Sequence, residues 1–437
     1  MAAQQAAFDF VDLFAGIGGF HLALEQLGGR CVFASEIDPD AQKVYEANFA
    51  APVPAGDIRP LTEGEAVREI PPHDVLCAGF PCQPFSKSGF QRGMNETRGT
   101  LFFNILRVLE AHRPRFAILE NVRNLAGPRQ RHTWNTIIRN LRRLGYRVAS
   151  EPAVFSPHLL PPEKGGRPQV RDRVFILCER VDDPGADLHG PLLVERRAVD
   201  GWDPDRWRIE DWLQDESEIP NREAYALRPD EIRWIEAWDD FVKSIDSDHL
   251  PGFPIWVDAF THYPRLEPGL PAWKADFLRK NSAFYREHKA TIDAWLKRHD
   301  VASFPPSRRK FEWQARKWQP YAKDRTLWDL VLHLRPSGIR VKPPTYLPAL
   351  VAIAQTPIIG SRRRRITPRE AARLQGFPDE FELHPIDAVT YKQMGNAVNV
   401  GVVKYVATKL FESSPHNPLG GDHTRPMQTS LRLGQEL

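Results

Sequence analysis

Four side chains in this 437-residue chain have the types and spacing to act together on one small ring: Cys82, Glu120, Arg171 and Arg173. Cys82 lies in Gly79-Phe80-Pro81-Cys82-Gln83-Pro84-Phe85-Ser86, where a glycine, two prolines and a serine end the apolar run Asp74–Ala78 in a tight loop. A thiol raised at the carboxyl end of a strand stands where α/β sheets do their chemistry. A cysteine alone is more often a small buried apolar residue than a nucleophile, so its companions decide the reading. Glu120 closes the next apolar run, Phe116–Leu119, and Gln169-Val170-Arg171-Asp172-Arg173 leads into a further one, Val174–Cys178. Such a set suits the ring of cytosine, whose carbon 5 is too weakly nucleophilic to accept a methyl group unaided. A thiolate added to carbon 6 turns carbon 5 into an enamine carbon able to attack a methyl-sulfonium. A carboxyl of raised pKa could protonate ring nitrogen 3, and an arginine could hold the exocyclic oxygen. A thiol of pKa about 8.5 is mostly protonated at neutral pH, so nearby positive charge would help it. In a duplex, the base must also leave the stack.

These side chains need strands to carry them and a cofactor site beside them. Phe8–Phe14 is an apolar run leading into Ala15-Gly16-Ile17-Gly18-Gly19-Phe20, and a helical pattern through Leu22, Ala23, Leu24 and Leu27 ends at Gly28-Gly29. Strand, glycine-rich turn and helix open the dinucleotide-type folds, the glycines allowing positive φ and close approach of a ligand. A second strand, Cys31–Ser35, ends at Glu36, 20 residues after Gly16, where such folds set a carboxylate against ribose hydroxyls. No lysine-serine or lysine-threonine pair follows the turn, which argues against a phosphate-cradling loop. Helices are predicted over 39–49, 101–111 and 133–144, and strands over 74–78, 116–119, 146–149 and 174–178. That alternation predicts an α/β fold with a mostly parallel sheet and helices on both faces.

A hydrophobic content of 42% and a charged content of 26% describe a soluble globular protein, and no run of eighteen apolar residues offers a membrane span. The N-terminus lacks a signal-peptide pattern. Four cysteines form no disulfide framework and show no zinc-site spacing, so a reducing cytoplasm and no metal are expected. The net charge is only +3, and the run Arg362–Arg365 and the cluster Arg139, Arg142, Arg143 and Arg147 read as solvated faces. Cys31, Cys77 and Cys178 read as core, Asp38 as a helix cap and His21 as surface or packing.

The texture changes near Arg180. Residues 200–330 hold eleven of the twelve tryptophans, which marks a separate module with those rings as its core, and helices are predicted over 229–245 and 272–298. Arg335-Pro336-Ser337-Gly338-Ile339-Arg340-Val341-Lys342 suits a loop that grips phosphates. Thr367-Pro368-Arg369-Glu370 has the form of a helix cap, with proline at the first turn and an acid at its third position. The tail after Ser413 is polar and aperiodic, and is expected to be disordered.

Taken in order, the motifs resemble the DNA (cytosine-5) methyltransferases of the bacterial restriction-modification type. Those that carry the resemblance are Asp12-Leu13-Phe14-Ala15-Gly16-Ile17-Gly18-Gly19-Phe20, Gly79 to Ser86, Glu120-Asn121-Val122, Gln169 to Arg173, Arg373 to Pro378, and Gly395-Asn396-Ala397-Val398. The resemblance implies a Rossmann-like S-adenosylmethionine-dependent catalytic domain over 1–180 and 351–412, a smaller target-recognition domain over 181–350, and a flexible tail over 413–437. It implies that Cys82 is the nucleophile, that Glu120 acts at ring nitrogen 3, and that Arg171 and Arg173 touch the flipped cytosine. S-adenosyl-L-methionine, leaving as S-adenosyl-L-homocysteine, would be held by Phe14, Ala15, Gly16, Ile17, Gly18, Gly19, Glu36, Ile37, Asp57, Ile58, Pro81, Leu101, Asn396, Ala397 and Val398. Gln83, Ser86, Ser88, Arg98, Arg335, Ser337, Arg340 and Lys342 would meet duplex DNA. A monomer in the bacterial cytoplasm, held at the nucleoid through DNA and sharing its site with a separate restriction endonuclease, completes the implied picture.

Two rival readings differ in substrate or class. An RNA cytosine methyltransferase can share this catalytic core, but such relatives carry a small insert where this chain has a long one. A nicotinamide dehydrogenase would need a second mononucleotide half, and a silent DNA-binding regulator would not need a complete set of catalytic groups.

Overall fold

The computed structural model describes residues 6–81, 101–183, 185–189, 198–245, 250–315, 326–350 and 356–420. The chain divides into two compact units, one drawn from Met1–Trp207, Ala349–Ile353 and Ala371–Leu437, the other from Arg208–Pro348 and Ala354–Glu370.

The first unit is built on a seven-stranded sheet. Its strands are β1 (Phe8–Leu13), β2 (Gly29–Ser35), β3 (Val75–Gly79), β4 (Phe116–Val122), β5 (Tyr146–Val148), β6 (Ala153–Phe155) and β7 (Arg173–Arg180). The order is β2-β1-β3-β4-β7-β5, with β6 also paired to β7. β1 to β4 run parallel, and β7 is reversed against β4, β5 and β6. The helices α1 (Gly19–Glu25), α2 (Pro39–Asn48), α3 (Leu101–His112) and α4 (Arg131–Arg143) connect these strands. The strands are buried on both faces, so they read as continuous apolar runs rather than alternating ones. Leu76, Ala78, Ile105, Leu109, Leu119, Ile137 and Ile176 meet in one cluster on one face of the sheet. Cys31, Cys77 and Cys178 are all buried, and burial pushes their thiols far up from the ordinary range. This α/β, mostly parallel architecture is the one the alternating pattern predicts. His21 is packing: it stacks on Phe49 at 3.9 Å between centroids, and burial pushes its imidazole down to about 3.

The second unit contains a six-stranded sheet with helices α5 (Pro229–Ser244), α6 (Ala272–Glu287) and α7 (Lys289–Arg298). Its strands are β8 (Ile255–Trp256), β9 (Lys310–Trp313), β10 (Val331–Arg335), β11 (Gly338–Lys342), β12 (Ile358–Ile359) and β13 (Arg364–Arg365), in the order β13-β12-β10-β11-β9-β8. Tryptophans form its core as expected: Trp238 stacks on Phe311 at 4.6 Å, and the indole N–H of Trp295 donates to the Ala237 carbonyl at 2.6 Å. The single helix expected over 272–298 is broken at His288, whose backbone leaves the helical region (φ −111°, ψ 24°).

Two expectations about basic residues are corrected here. Residues Arg335–Lys342 are not a loop but the β10–β11 hairpin, in which Arg335 pairs with Gly338 across a two-residue turn, Pro336-Ser337. Arg340 is engaged with Glu312 at 2.8 Å, and Lys342 is half-buried, so its ammonium is pushed down by desolvation. Nor is the run Arg362–Arg365 a solvated face. Arg364 is 2% exposed and is bound by Glu370 and Glu216, while Arg362 meets Glu210 and Arg365 meets Glu231.

The cap expected at Thr367 is present: Glu370 N–H donates to Thr367 Oγ1 at 3.1 Å, and the Glu370 carboxylate accepts from Thr367 N–H at 2.8 Å. It opens α8 (Pro368–Gln375), and two more helices follow, α9 (Asp387–Asn396) and α10 (Val400–Glu412). Glu370 thus serves the cap and neutralises a buried arginine at once. Replacing Arg364 by alanine strands that carboxylate, so a loss of about 3–5 kcal/mol in denaturant unfolding of the full chain is expected. A loss below about 1 kcal/mol would show that the cluster contributes little net stability.

The compact units part later than the expected 180, at Trp207, because the intervening chain folds back on the first unit. The indoles of Trp202 and Trp207 both donate to the His158 carbonyl, at 3.0 and 2.9 Å. Ala354–Glu370 joins the second unit because β12 and β13 extend its sheet. Most of the expected tail, residues 421–437, lies outside the described residues.

Candidate active site

The site is built where β1, β2, β3 and β4 end. After β1, Phe14 and Gly16 take left-handed backbone (φ 58° and 56°), and Gly18, at φ 88°, caps α1. A carboxylate is preset against this turn. Glu36, at the end of β2, accepts from Gly16 N–H at 2.8 Å with one oxygen and from Asp38 N–H at 2.8 Å with the other. Asp38 in turn caps α2 through Asp40 N–H and pairs with Lys392.

A cleft of about 430 Å³ opens beside the turn, lined among others by Phe14, Glu36, Leu101, Glu120, Arg173 and Asn396. Ala15, Gly16, Ile17, Ile37, Pro81, Ala397 and Val398 also face it. A smaller hollow of about 240 Å³ adjoins it, sharing Phe14, Glu36, Ile37 and Leu101 and adding Asp57 and Ile58. Thirteen of the fifteen expected cofactor residues therefore line one or other of these two neighbouring hollows. The other two build the turn instead of facing the cleft. Gly18 supplies the positive φ, and Gly19 leaves room for Val398, whose Cγ2 would lie 2.7 Å from any Cβ added there.

At the far end of the cleft, β3 and β4 stand in register with Gly79 opposite Glu120. Glu120 is 8% exposed, and its Oε1 lies 3.0 Å from Arg173 Nε on β7. Burial raises its carboxyl above the ordinary value, and Arg173 and then Arg171 pull against that shift. Desolvation outweighs the two cations because the carboxyl is withdrawn from solvent. Asn121, the next residue, was not singled out by its chemistry, yet its amide donates to the Phe80 carbonyl at 2.7 Å. It thereby fixes the backbone two residues before Cys82. Cys82 itself, with Gln83, Ser86, Ser88 and Arg98, lies outside the described residues.

Arg171 is corrected from a substrate contact to a strut. It is 1% exposed, and its guanidinium donates to the carbonyls of Gly395 (2.8 Å), Ala397 (2.7 Å) and Leu350 (3.3 Å). Burial, and then Arg173, push it down to about 9, so it remains charged at neutral pH. The two arginines take different sides because Arg173 opens β7 and lines the cleft, whereas Arg171 lies before the strand begins, turns into the protein and holds the Asn396–Val398 wall. Arg171→Ala is expected to leave those carbonyls unpaired, to cost about 3 kcal/mol or more of stability, and to weaken cofactor affinity at least about tenfold. Unchanged cofactor affinity in a folded variant would place the Asn396 wall outside the cofactor site.

A strand–turn–helix with a preset carboxylate, opening into a cleft that ends in a buried acid–arginine pair, defines a Rossmann-like group-transfer enzyme. The chain belongs to the C-5 cytosine-specific DNA methylase family, which matches residues 8–412. Among its relatives, Type II methyltransferase M.AluI of Cellulosimicrobium cellulans is 43% identical over 93% of this chain and 92% of its own length. M.NlaX of Neisseria lactamica is 32% identical over 92% and 96%, and M.HhaI of Haemophilus parahaemolyticus 28% over 95% and 98%. The protein is a DNA (cytosine-5-)-methyltransferase of the Type II restriction-modification kind, a family that depends on S-adenosyl-L-methionine. Among the described residues, no helix is long and apolar enough to cross a membrane.

Proposed function

We propose that this chain methylates carbon 5 of a flipped cytosine in a specific duplex sequence, by way of a covalent bond between Cys82 and carbon 6. The observation that carries this reading is the Glu120–Arg173 pair at the end of the cleft, on the strand next to the one that leads to Cys82. Cys82 sulfur bonds to carbon 6, electrons move to carbon 5, and ring nitrogen 3 takes the proton held by Glu120. Arg173 keeps Glu120 in place and faces the exocyclic oxygen. Once carbon 5 carries the methyl group, loss of its proton to water re-forms the carbon 5–carbon 6 double bond and expels the thiolate, and ring nitrogen 3 returns its proton to Glu120. S-adenosyl-L-methionine, when bound, supplies the electrophilic methyl group. The left-handed turn at Gly16 and the preset Glu36 carboxylate fit its nucleoside, with Phe14, Ile37 and Ile58 around the adenine and Asn396–Val398 closing the pocket. The second unit reads the DNA, the enzyme works as a monomer in the bacterial cytoplasm, and a separate endonuclease shares its target.

Duplex DNA carrying 5-fluorocytosine at the target tests the chemistry, because fluorine cannot leave as a proton does. A denaturant-stable protein–DNA adduct is expected with cofactor present; its absence on DNA that the enzyme otherwise methylates would refute the covalent route. Adduct formation on tRNA alone would favour the RNA-modifying alternative. The assignment of the second unit is tested separately, by exchanging residues 208–348 for those of a relative of different specificity. Bisulfite sequencing should then show the relative's target methylated, and an unchanged target would refute the assignment.

A further inference from the structure

Two histidines of the first unit take no part in the cofactor cleft, yet they stand together. His73 lies two residues before β3 begins, and His112 is the last residue of α3. Their rings approach to 5.3 Å between centroids, with the planes tilted by 41°. Gly79, where β3 reaches the cleft, is six residues beyond His73, roughly 20 Å along an extended chain.

Each imidazole has one nitrogen committed. His73 Nδ1 lies 2.8 Å from the Pro71 carbonyl, and His112 Nε2 lies 2.7 Å from the Val67 carbonyl. A carbonyl oxygen only accepts, so both of these nitrogens carry the proton and donate it. In the neutral rings the other nitrogens, His73 Nε2 and His112 Nδ1, therefore hold bare lone pairs. His73 is 9% exposed, and its Nε2 is buried with no hydrogen-bond partner among the described residues. A second proton does not resolve this. Burial outweighs the Pro71 hydrogen bond and pushes His73 down to about 4, with His112 acting in the same direction. The ring is neutral at neutral pH and offers a ligand atom, and a buried acceptor left bare is destabilising unless something meets it.

Two further features match metal ligation. Histidines that bind a metal characteristically donate the second ring N–H to a backbone carbonyl or a carboxylate, and both of these do. Two imidazoles on one tetrahedral zinc, with bonds of about 2.0–2.1 Å, have their ring centres roughly 5 Å apart, close to the spacing found here.

We propose that His73 Nε2 and His112 Nδ1 share one divalent transition-metal ion of the zinc kind, with water in its remaining positions. Imidazole suits zinc, nickel and copper, whereas magnesium and calcium call for oxygen ligands. The half-buried His112 gives the ion a route from solvent. Its role is structural: it ties the end of α3 to the segment that enters β3, at the end of that strand away from the cleft. Ligand spacing in the sequence does not reveal the pair, because 39 residues separate the two histidines.

The test titrates zinc by calorimetry into the full chain, stripped beforehand with a chelator that is then dialysed away. Saturable uptake of a single zinc per chain is expected, with a thermal unfolding midpoint that rises with zinc concentration. His73→Asn and His112→Gln each keep an N–H for the carbonyl and remove the bare nitrogen, so each should weaken zinc binding about tenfold or more. The half-buried His112 carries the test on its own if His73→Asn unfolds the chain. Cys82→Ser, which removes the competing thiol ligand, should leave this uptake unchanged. Absence of saturable uptake at submillimolar zinc would overturn the proposal. So would uptake that His112→Gln leaves intact, or uptake that Cys82→Ser removes.

Discussion

Replacing Cys82 by serine is expected to abolish methyl transfer while leaving affinity for S-adenosyl-L-methionine within about twofold of the parent. The first half follows from the chemistry of the nucleophile. A serine hydroxyl is a far weaker acid than a thiol of pKa about 8.5, so it offers almost no anion at neutral pH to add to carbon 6. Without that addition, carbon 5 never gains the electron density to take the methyl group. The second half follows from where the proposed cofactor contacts are anchored. Of the groups proposed to hold the nucleoside, Glu36 is set by the Gly16 and Asp38 N–H groups, and Asn396–Val398 is held by Arg171. None of these contacts passes through residue 82. Single-turnover transfer to a duplex substrate and equilibrium binding of the cofactor together decide the matter. A variant that loses cofactor affinity would mean the thiol is misplaced, and one that keeps transfer would remove the covalent step altogether.

What could be read from residue types, and what could not, separates along physical lines. The strands of the first unit are buried on both faces, so β1, β3, β4 and β7 announced themselves as the apolar runs Phe8–Phe14, Asp74–Ala78, Phe116–Leu119 and Val174–Cys178. The 20-residue offset from Gly16 to Glu36 was equally legible, because a turn and a strand of fixed length leave the carboxylate one place to go. The fate of Arg171 was not. Two arginines of identical chemistry stand two residues apart, and only the fold decides that one lines the cleft while the other spends its donors on carbonyls more than 220 residues away. Arg362–Arg365 misled for the same reason: composition shows the cations, whereas their partners Glu210, Glu216 and Glu231 come from a distant stretch of chain. Asn121 carried no signal of its own. An asparagine after a catalytic acid has many uses, and its bond to the Phe80 carbonyl exists only because β3 and β4 are neighbours.

Replacing Glu120 by glutamine is expected to lower kcat by about 10²–10⁴-fold and to change the pH profile of what remains. In the proposed mechanism Glu120 carries a proton to ring nitrogen 3, and burial raises its carboxyl above the ordinary 4.5 despite Arg173 and Arg171. Activity that depends on the protonated acid is therefore complete at low pH and falls as pH rises through the raised value. The Cys82 thiolate pulls the other way, since its population grows with pH. Their product is a bell, with the rising limb from the thiol and the falling limb from Glu120 in the free enzyme. Glutamine keeps the shape and can still meet the base, but it has no proton to give, so the falling limb should vanish from kcat/KM while the rising limb stays. The same shift has a consequence for folding. A carboxyl whose folded pKa is raised stabilises the native state fully below its unfolded value, and that contribution is lost as pH rises through the folded value. The buried ion pair with Arg173 limits the loss, because the carboxylate that forms is met at 3.0 Å rather than left alone. Steady-state rates across the pH range for parent and variant test the assignment. A variant within threefold of the parent, or one that keeps the falling limb, would require another group to supply the proton.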